Sequence, residues 1–482
     1  MRVVVIGAGP AGLTAALELV RGGAEVSVFE AGDVTGGMAR SFELWGRRVD
    51  LGPHRFFSNH PRVNRLWFDV VGDRFETVTR LTRIYYGGHF YAYPLKPWDV
   101  ALQAGPLRTL GYLSSYLRER LRGSDEGDDS FESWVVRRFG RRLFEAFFRP
   151  YSEKLWGIPC NQLSGDFAAQ RIRTFSLGAA LSAAVSPRRA REHRTLVDRF
   201  AYPHGGTGAV YEKMTELIHQ LGGTVRLRAP VKRVLQSGAD VCGIELADGT
   251  QRQADHVVST MPLPLLVRGL SDVPPEVCDA ADSLRFRSTL LVYLHVNRSD
   301  LFGDQWLYIH APELATGRVT NFNNWCALPG QASPTTILAA EFWSNEGDSR
   351  WRQSDAELIA LAEVELRKIG LLGDAKVLAG HVERVARCYP VYRLGYHQHV
   401  VALATYLRRI RGLSVIGRYG AFKYNNQDHS ILMGILAAEN VLHERKHDLW
   451  SVNADYDVYQ EPPATGAGDS LLERGLATTL RG

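Results

Sequence analysis

The sequence predicts an α/β fold: a domain built on a parallel sheet, with a helical insertion and a second, substrate domain containing an antiparallel sheet. Two observations predict it. A buried strand, a glycine-rich turn, a helix and a second strand open the chain, which is the pattern of parallel β–α–β units. Strand patterns alternate with a helical pattern between residues 285 and 400, which indicates another sheet. The 482 residues are 45% apolar and 23% charged, a composition typical of globular proteins.

The opening of the chain carries a nucleotide-binding fingerprint. Residues 2–6 read as a buried strand, residues 7–12 are Gly-Ala-Gly-Pro-Ala-Gly, and a helical stretch follows. In this context the first glycine permits the tight turn, the second lets the backbone approach a pyrophosphate, and the third lets helix and strand pack closely. The helix N-terminus offers free N–H groups to the phosphates. We therefore expect a Rossmann-like dinucleotide site here.

An acidic residue and a second glycine pair narrow the ligand. The next apolar run ends at Glu30, eighteen residues after Gly12, where a carboxylate can accept hydrogen bonds from a ribose diol. The segment Gly36-Gly37-Met38-Ala39 follows, and it resembles the FAD enzymes of the amine oxidase and desaturase superfamily. We expect noncovalent FAD in a GR2-type domain. The contacts expected in this part of the chain are Gly7, Gly9, Pro10, Ala11, Gly12, Glu30, Ala31, Gly37, Met38, Ala39 and Val231.

The remaining patterns predict a discontinuous FAD domain and two substrate domains. Residues 1–90, 200–270 and 405–445 are assigned to the FAD domain, 95–200 to a mainly helical substrate domain, and 285–400 to a sheet-containing substrate domain. Strands at Val231–Leu235, Gly243–Leu246 and Ala254–Ser259 are expected to form a β-meander, with a turn at Asp248-Gly249. Helices are expected near Ser354–Ile369 and Ser430–His443. Residues 451–482 are expected to form a flexible tail.

Charge and cysteine usage exclude several classes of function. The net charge of +5 is too small to indicate nucleic-acid binding. Five widely spaced cysteines, an odd number, exclude a disulfide framework and a paired-cysteine metal site, and they favour a reducing cytosol. No apolar run reaches the ~18 residues of a spanning helix, and the first strand begins where a signal peptide would lie. We expect a cytoplasmic protein with no metal, no nucleic-acid partner and no membrane partner.

Segments spread along the chain share their order with one enzyme family. They are Asp50-Leu-Gly52-Pro53-His54, Arg149-Pro-Tyr151 with Lys154, Trp156 and Pro159, Gly205-Gly206-Thr207-Gly208, Trp306-Leu-Tyr308 with Arg318, Tyr389-Pro390, and the run from Gly417 through Tyr424, Asn426 and Gln427 to Ser430. Together they resemble the UDP-galactopyranose mutases, especially the eukaryotic type. The resemblance spans residues 2 to about 442, and its most specific motif is the run at 417–430.

The resemblance implies where flavin and substrate would bind. His54 would lie against the flavin, and Arg418, Asn426, Gln427 and Ser430 would also contact it. Arg171 and Arg318 would hold a diphosphate, because the guanidinium fork matches phosphate oxygens. The implied substrate contacts are Tyr93, Tyr151, Trp156, Arg171, Tyr308, Arg318, Tyr389 and Tyr424. The implied catalytic residues are His54, Arg171, Arg318, Tyr308, Tyr389 and Tyr424.

The reaction that the resemblance implies is the interconversion of pyranose and furanose forms of a nucleoside-diphosphate hexose. It would need reduced FAD, whose N5 forms a bond to the sugar while the diphosphate leaves. NADPH or NADH would be the reductant, and a homo-oligomer is expected. The helix starting near Ser430 would direct its N-terminus at the pyrimidine end of the flavin, where negative charge develops on reduction.

Two departures from the family pattern leave the nucleotide open. Gly52-Pro53 stands where the family has two glycines, and a proline restricts the backbone. The segment Tyr91-Ala-Tyr93-Pro-Leu-Lys96 lacks the glutamine expected after the Tyr-Pro pair, at the place where the family contacts uracil. A UDP-galactose-like substrate and a GDP-hexose are both compatible with these residues.

Two other functions share the N-terminal half. The first is an FAD-dependent oxidoreductase of the amine oxidase or protoporphyrinogen oxidase type. The second is a non-catalytic flavin- or nucleotide-binding protein. Arginines and tyrosines around a diphosphate would be surplus in a site for an amine or an apolar substrate, so the sequence favours the mutase interpretation.

Overall fold

The computed structural model describes residues 1–122, 128–166, 199–325 and 333–453. Contacts divide the chain into two compact units. The described part of the first unit comprises Met1–Glu76, Ala201–Arg285 and residues 396–453, and that of the second comprises 77–166, 199–200 and 286–395 with the gaps given. Arg171 and the tail at 454–482 lie outside the described residues, and so does most of the predicted helical stretch 167–198.

The described strands and helices alternate along most of the chain. The strands are β1 (Arg2–Ile6), β2 (Glu25–Phe29), β3 (Ser41–Leu44), β4 (Arg47–Asp50), β5 (Phe75–Thr79), β6 (Thr82–Tyr86), β7 (His89–Ala92), β8 (Arg199–Pro203), β9 (Thr224–Arg226), β10 (Val231–Ser237), β11 (Asp240–Leu246), β12 (Gln251–Gln253), β13 (His256–Ser259), β14 (Phe286–Val296), β15 (Trp306–Ile309), β16 (Arg318–Asn321), β17 (Thr336–Ser344), β18 (Val377–Pro390) and β19 (Leu413–Val415). The helices are α1 (Pro10–Arg21), α2 (Pro61–Val71), α3 (Pro97–Arg122), α4 (Phe131–Phe139), α5 (Arg141–Leu143), α6 (Arg149–Trp156), α7 (Gly208–Gln220), α8 (Leu263–Arg268), α9 (Pro275–Ser283), α10 (Asp355–Lys368), α11 (Tyr396–Leu407), α12 (Gly417–Gly420) and α13 (Gln427–His443).

The first unit is built on a five-stranded parallel sheet with the order β19-β13-β1-β2-β9. Strand β1 is buried from its second residue onward, as expected for a central strand covered on both faces. Helices α1 and α13 contribute buried side chains to the same core as this strand. The α/β fold with a Rossmann-like domain is therefore confirmed.

The β-meander differs from its prediction in the third strand. Strands β10, β11 and β12 form an antiparallel sheet, and the turn at Asp248-Gly249 joins the last two as expected. The third strand is the fully exposed Gln251–Gln253, which shows no apolar alternation. The apolar residues that follow form β13 and pair with β1 in the parallel sheet. Their burial explains why a short apolar run was read as part of the meander.

The second unit contains a seven-stranded sheet with the order β18-β14-β17-β16-β15-β6-β7. Its pairs are antiparallel except for β15 with β6, which run parallel. Strands β6 and β7 thus belong to this sheet, although the sequence assigned residues 1–90 to the FAD domain. The antiparallel-sheet domain itself is confirmed.

The two faces of this sheet have different characters. Alternate residues of β14, β15, β16 and β17 pack with helix α10 in a hydrophobic core. Helix α10 begins after Ser354, which makes a capping box with Glu357. The residues in between carry Tyr308, Arg318 and Glu341 to the other face, because side chains alternate along a strand. We call this second surface the polar face.

The helical part of the second unit begins with a broken helix. Helix α3 is interrupted at Gly105, whose φ of 77° and ψ of 167° are not helical. A single π-helical turn at Phe144–Phe148 leads from α5 into α6, which supplies Tyr151, Lys154 and Trp156. In the described ranges, no helix has the length and apolar character needed to cross a membrane.

Candidate functional sites

The glycine-rich turn of the first unit brings α1 close to β1. A Cβ atom at Gly12 would lie 2.0 Å from the carbonyl oxygen of Gly7, so only glycine fits at this crossing. Gly9 directly precedes α1, which begins at Pro10. A proline at the first helical position loses no hydrogen bond and leaves the other free N–H groups of the helix available. The geometry of the predicted phosphate turn is therefore present.

The second glycine pair lies against this turn. The Gly36 N–H donates to the carbonyl of Ala8 at 2.8 Å, and a Cβ at Gly37 would lie 3.2 Å from the Cα of Gly9. Two stretches of bare backbone therefore face each other, with Met38 and Ala39 in the short 3₁₀ turn that follows. Such a cradle fits a pyrophosphate, which backbone N–H groups can approach without side chains in between.

Glu30 is held at the edge of the same cradle. One carboxylate oxygen accepts a hydrogen bond from the Ala8 N–H at 2.7 Å, and the other accepts from the Gly32 N–H at 2.8 Å. Ala31 lies between these anchors, and Val231 begins strand β10 in the same unit. The acidic group lies where the fingerprint requires a partner for a ribose diol.

The C-terminal motif forms the other end of the cofactor site in this unit. Asn426 precedes α13 and caps it in a reciprocal arrangement with His429. Gln427 accepts a hydrogen bond from Tyr211 at 2.6 Å, and Ser430 is buried one turn into the helix. The positive end of a 17-residue helix therefore lies beside these amides, where it would stabilise an anionic flavin.

Arg418 and Tyr424 form a pair next to this helix end. The guanidinium carbon lies 4.4 Å from the centre of the Tyr424 ring, and one amino group donates to the carbonyl of Asn425 at 2.9 Å. A cation over an aromatic face is attractive and holds both groups in place. Tyr424 was predicted to contact substrate, but its ring packs here with a predicted cofactor residue.

His54 lies in a loop fixed by a buried aspartate that the site prediction missed. Asp50 accepts hydrogen bonds from Ser41, Tyr202 and the Thr207 N–H at 2.5, 2.9 and 2.9 Å. Thr207 in turn donates to the carbonyl of His54, and the His54 Nε2–H donates to the carbonyl of Leu51.

The same burial changes the acidity of Asp50. Its complete burial raises its pKa to about 6, and its hydrogen bonds oppose that shift. The only sequence signal for this role was its place at the start of the Asp-Leu-Gly-Pro-His segment.

Arg318 and Glu341 meet at the centre of the polar face. They are register partners on β16 and β17, and two bonds of 2.6 Å join the guanidinium Nε and one Nη to the two carboxylate oxygens. That Nη also lies 3.4 Å from the hydroxyl of Tyr389. Burial would lower the pKa of Arg318, but the carboxylate of Glu341 holds that pKa well above its usual value. Arg318 is therefore a permanent buried cation.

Aromatic rings surround this ion pair. Tyr308, the register partner of Arg318 on β15, lies 5.0 Å from Tyr93 and 5.6 Å from Tyr151, measured between ring centres. Trp156 meets Tyr389 edge-on at 6.2 Å. All the predicted substrate residues of the second unit that the structure describes come together here. They are Tyr93, Tyr151, Trp156, Tyr308, Arg318 and Tyr389.

His310 is a further member of the polar face that sequence reasoning missed. Its ring stacks on Tyr151 at 4.6 Å. Burial lowers its pKa to about 3, and the nearby ammonium of Lys154 acts in the same direction, while the Phe147 carbonyl opposes both. His310 is therefore neutral at physiological pH. A single histidine after an apolar strand gave no signal from which this could be foreseen.

Lys154 and Glu365 fix the loop between β15 and β16. The Lys154 ammonium donates to the carbonyls of Ile309, Ala311 and Thr316, each at 3.0 Å. Glu365 accepts from the N–H groups of Ala315 and Thr316 at 2.7 Å. Burial lowers the pKa of Lys154 to about 8. The two buried charges thus set the backbone between His310 and Arg318.

The polar face also presents polar atoms without hydrogen-bond partners. Among the residues that the structure describes, five such buried atoms share this face: Thr289 Oγ1, Trp306 Nε1, His310 Nδ1, Thr320 Oγ1 and Trp343 Nε1. An unsatisfied buried polar atom costs about 1–3 kcal/mol, and such atoms in a native fold call for a water or a ligand. This face is suited to a ligand rich in hydroxyls or other polar groups.

A family comparison agrees with the cofactor cradle. The model of flavin-containing amine oxidoreductases matches residues 10–442. The chain belongs to this family. FAD is its cofactor, and the paired glycine turns, Glu30 and the start of α13 are the groups that would hold it. The predicted superfamily and cofactor are thereby confirmed.

Curated relatives of the chain are oxidoreductases. It is 26% identical over 322 residues to a 1-hydroxycarotenoid 3,4-desaturase of Flavobacterium sp., a match covering 62% of this chain and 64% of that protein. It is also 26% identical to a coproporphyrinogen III oxidase of Mycobacterium leprae, covering 76% of this chain and 82% of that protein. The chain spans less than two thirds of the length of the first desaturases that it matches.

Solved structures share the fold. A reduced UDP-galactopyranose mutase has a TM-score of 0.80 with 24% identity, over 94% of this chain and 98% of that one. A putrescine oxidase redesigned in cofactor binding has a TM-score of 0.63 with 17% identity, over 92% and 99% of the two chains. At these identities the similarity establishes the architecture only, so the finer choice of reaction rests on the sites described above.

Proposed function

We propose that this FAD-dependent enzyme interconverts the pyranose and furanose forms of a nucleoside-diphosphate hexose, either UDP-galactose-like or a GDP-hexose. The observation that carries the proposal is the polar face, where the charged pair Arg318–Glu341 lies among unpartnered polar atoms. A hydrocarbon bound there would leave those atoms without partners, at a cost for each of them. A sugar diphosphate offers them hydroxyls and anionic oxygens.

Arg318 keeps one amino group for such a substrate. Glu341 occupies Nε and one Nη, while the other Nη has no hydrogen-bond partner among the described residues. The hydroxyls of Tyr308 and Tyr389 lie on neighbouring strands or in contact with the same guanidinium. These groups would stabilise a departing diphosphate, on which charge grows as its bond to the sugar breaks. Arg171 would add a second cation.

The cofactor unit would supply the reactive group. Reduced FAD provides a nucleophilic ring nitrogen, which the oxidised form lacks. The chain's own contribution is electrostatic: the N-terminus of α13, with Asn426 and Gln427, would favour the anionic reduced state. His54, with its Nε2–H donated to a carbonyl, would shape the surroundings of the flavin.

The second candidate is an FAD-dependent oxidoreductase of the amine oxidase or protoporphyrinogen oxidase type. Its support comes from the curated relatives, which are desaturases and a porphyrinogen oxidase and which favour it over the mutase. In that case the polar face would bind polar groups of a substrate that transfers hydride to the flavin.

One experiment separates the two candidates. Dithionite-reduced enzyme is mixed under argon with UDP- and GDP-hexoses, and new furanose signals are sought by NMR. The mutase produces them without net redox change and is inactive when the flavin stays oxidised. Equal turnover in unreduced enzyme, or hydrogen peroxide formed in step with substrate loss, would establish the oxidoreductase instead.

A further inference from the structure

Helix α3 turns a row of leucines towards solvent. After the break at Gly105, Leu107, Leu110, Leu117 and Leu121 follow at intervals of three, seven and four residues, which places them on one side of the helix. Their exposed fractions are 85%, 63%, 58% and 87%. Single exposed leucines are ordinary, whereas a contiguous apolar row indicates an interaction surface. We call these four residues the leucine stripe.

The opposite side of the helix is packed, so the leucine stripe cannot turn inwards. A Cβ at Gly140 would lie 2.7 Å from the backbone nitrogen of Tyr116, which shows that the chain backbones touch there. The N–H of Arg142 donates to the Ser115 hydroxyl at 3.1 Å. Gly111 packs against the side chain of the same arginine. The outward direction of the stripe is therefore fixed by contacts within the second unit.

Basic residues border the leucine stripe on both sides. On a helical projection Arg118 and Arg108 fall to one side and Arg120 to the other, and all three are exposed. Near the start of α3, Trp98 is 56% exposed and has the Lys96 ammonium 5.5 Å from its ring. An apolar row with basic borders and an interfacial tryptophan is the pattern of a helix that lies in the headgroup region of a bilayer.

We propose that the leucine stripe docks on an anionic membrane surface, with α3 lying in the plane of the bilayer. The charge pattern favours this occupant over a second copy of the chain, because a twofold contact would bring identical arginine borders together. Lipid phosphates would instead pair with each of them. The proposal is independent of the reaction catalysed, and it differs from the sequence-based expectation of no membrane partner.

The test is flotation of the FAD-loaded full-length protein with vesicles. One set is phosphatidylcholine alone, and the other is an equal mixture of phosphatidylcholine and phosphatidylglycerol. We expect association with the anionic vesicles that weakens as salt is added. The triple variant L107Q/L117Q/L121Q should reduce it by at least about tenfold, because glutamine keeps the helix but does not insert into the apolar layer.

Matched controls keep the outcome interpretable. Val364→Gln changes a 64% exposed apolar residue on α10 and should leave vesicle binding unchanged. The second variant, R108Q/R118Q, keeps every leucine and should weaken binding to the anionic vesicles only. Each variant is compared at equal FAD content. Absence of flotation with anionic vesicles, wild-type binding by the triple variant, or a dimer in light scattering that the triple variant abolishes would each overturn the proposal.

Discussion

Arg318 and Glu341 face each other across adjacent strands and share two hydrogen bonds of 2.6 Å, with the carboxylate side chain only 2% exposed. The pair neutralises itself, so the polar face is not simply cationic. Because the guanidinium is held by its partner, it is already oriented before a substrate arrives, and pre-organised donors lose less entropy on binding.

The first prediction tests the catalytic role of Arg318. Arg318→Lys keeps the positive charge but loses the planar fork, so it should bind substrate more weakly and also lower kcat. Loss of one such donor typically costs about 100- to 1000-fold in turnover. The measurement is furanose formation by reduced enzyme, with FAD absorbance as the control. Near-wild-type turnover on the true nucleotide sugar would remove Arg318 from the reaction.

The second prediction concerns the stability of the ion pair. Glu341→Gln leaves a buried cation without its counter-charge and should lower the free energy of unfolding by about 3 kcal/mol, since breaking one partner of a buried pair costs roughly 3–5. The double variant R318M/E341L removes both charges and should recover most of that loss. Urea unfolding of both variants gives the comparison. If the double variant is less stable than Glu341→Gln, the pair is not the cause.

The third prediction concerns Lys154. Lys154→Met should lower the free energy of unfolding by at least about 3 kcal/mol, because three buried carbonyls each lose a donor. Lys213→Met is the matched control: its ammonium is 43% exposed and pairs only with Glu216, so its effect should stay within about 0.5 kcal/mol. Equal thermal midpoints for the two variants would show that the loop holds itself.

The fourth prediction is a pH dependence caused by His310. The unfolded chain protonates this histidine near pH 6.5, whereas the folded chain resists until about pH 3. The unfolded state therefore binds more protons in this window, and stability, full above about pH 6.5, falls as the pH drops towards 3.

A variant isolates that contribution. His310→Phe keeps the stacking on Tyr151 but cannot titrate. Between pH 7 and pH 5 the wild type should lose about 2 kcal/mol more than the variant, since one pKa unit corresponds to about 1.36 kcal/mol. Urea unfolding at both pH values measures the difference. Parallel losses in the two proteins would mean that other groups dominate acid sensitivity.

The sequence was informative where a function depends on neighbours in the chain. Gly7, Gly9, Gly12 and Glu30 lie in one short stretch, and the geometry of a β–α–β unit fixes their relation in space. The same holds for the cap of α13 at Asn426. Local spacing was enough for the cofactor cradle.

The polar face depends instead on strand order, which local patterns do not contain. Glu341 is the single acid in an otherwise apolar strand, and only the pairing of β16 with β17 places it beside Arg318. His310 and Lys154 come together through a loop and a helix more than 150 residues apart in the chain. A buried charge in an apolar run was the available signal, and its partner could not be read from spacing.

The last prediction tests the cradle without disturbing the fold. At Gly9 a Cβ would meet only the Cα of Gly37 at 3.9 Å, an ordinary contact, and the backbone there is not left-handed. Gly9→Ala should therefore leave the thermal midpoint of the FAD-free chain unchanged. The added methyl group would nevertheless project into the space that a pyrophosphate needs, so FAD affinity should fall by at least about tenfold. Gly347→Ala, at a glycine with open space around it, is the control and should bind FAD normally. Titration of both apoproteins with FAD, followed by flavin fluorescence, makes the comparison. Wild-type affinity in Gly9→Ala would place the pyrophosphate elsewhere, whereas a lowered midpoint of its apoprotein would show that the glycine serves the fold rather than the cofactor.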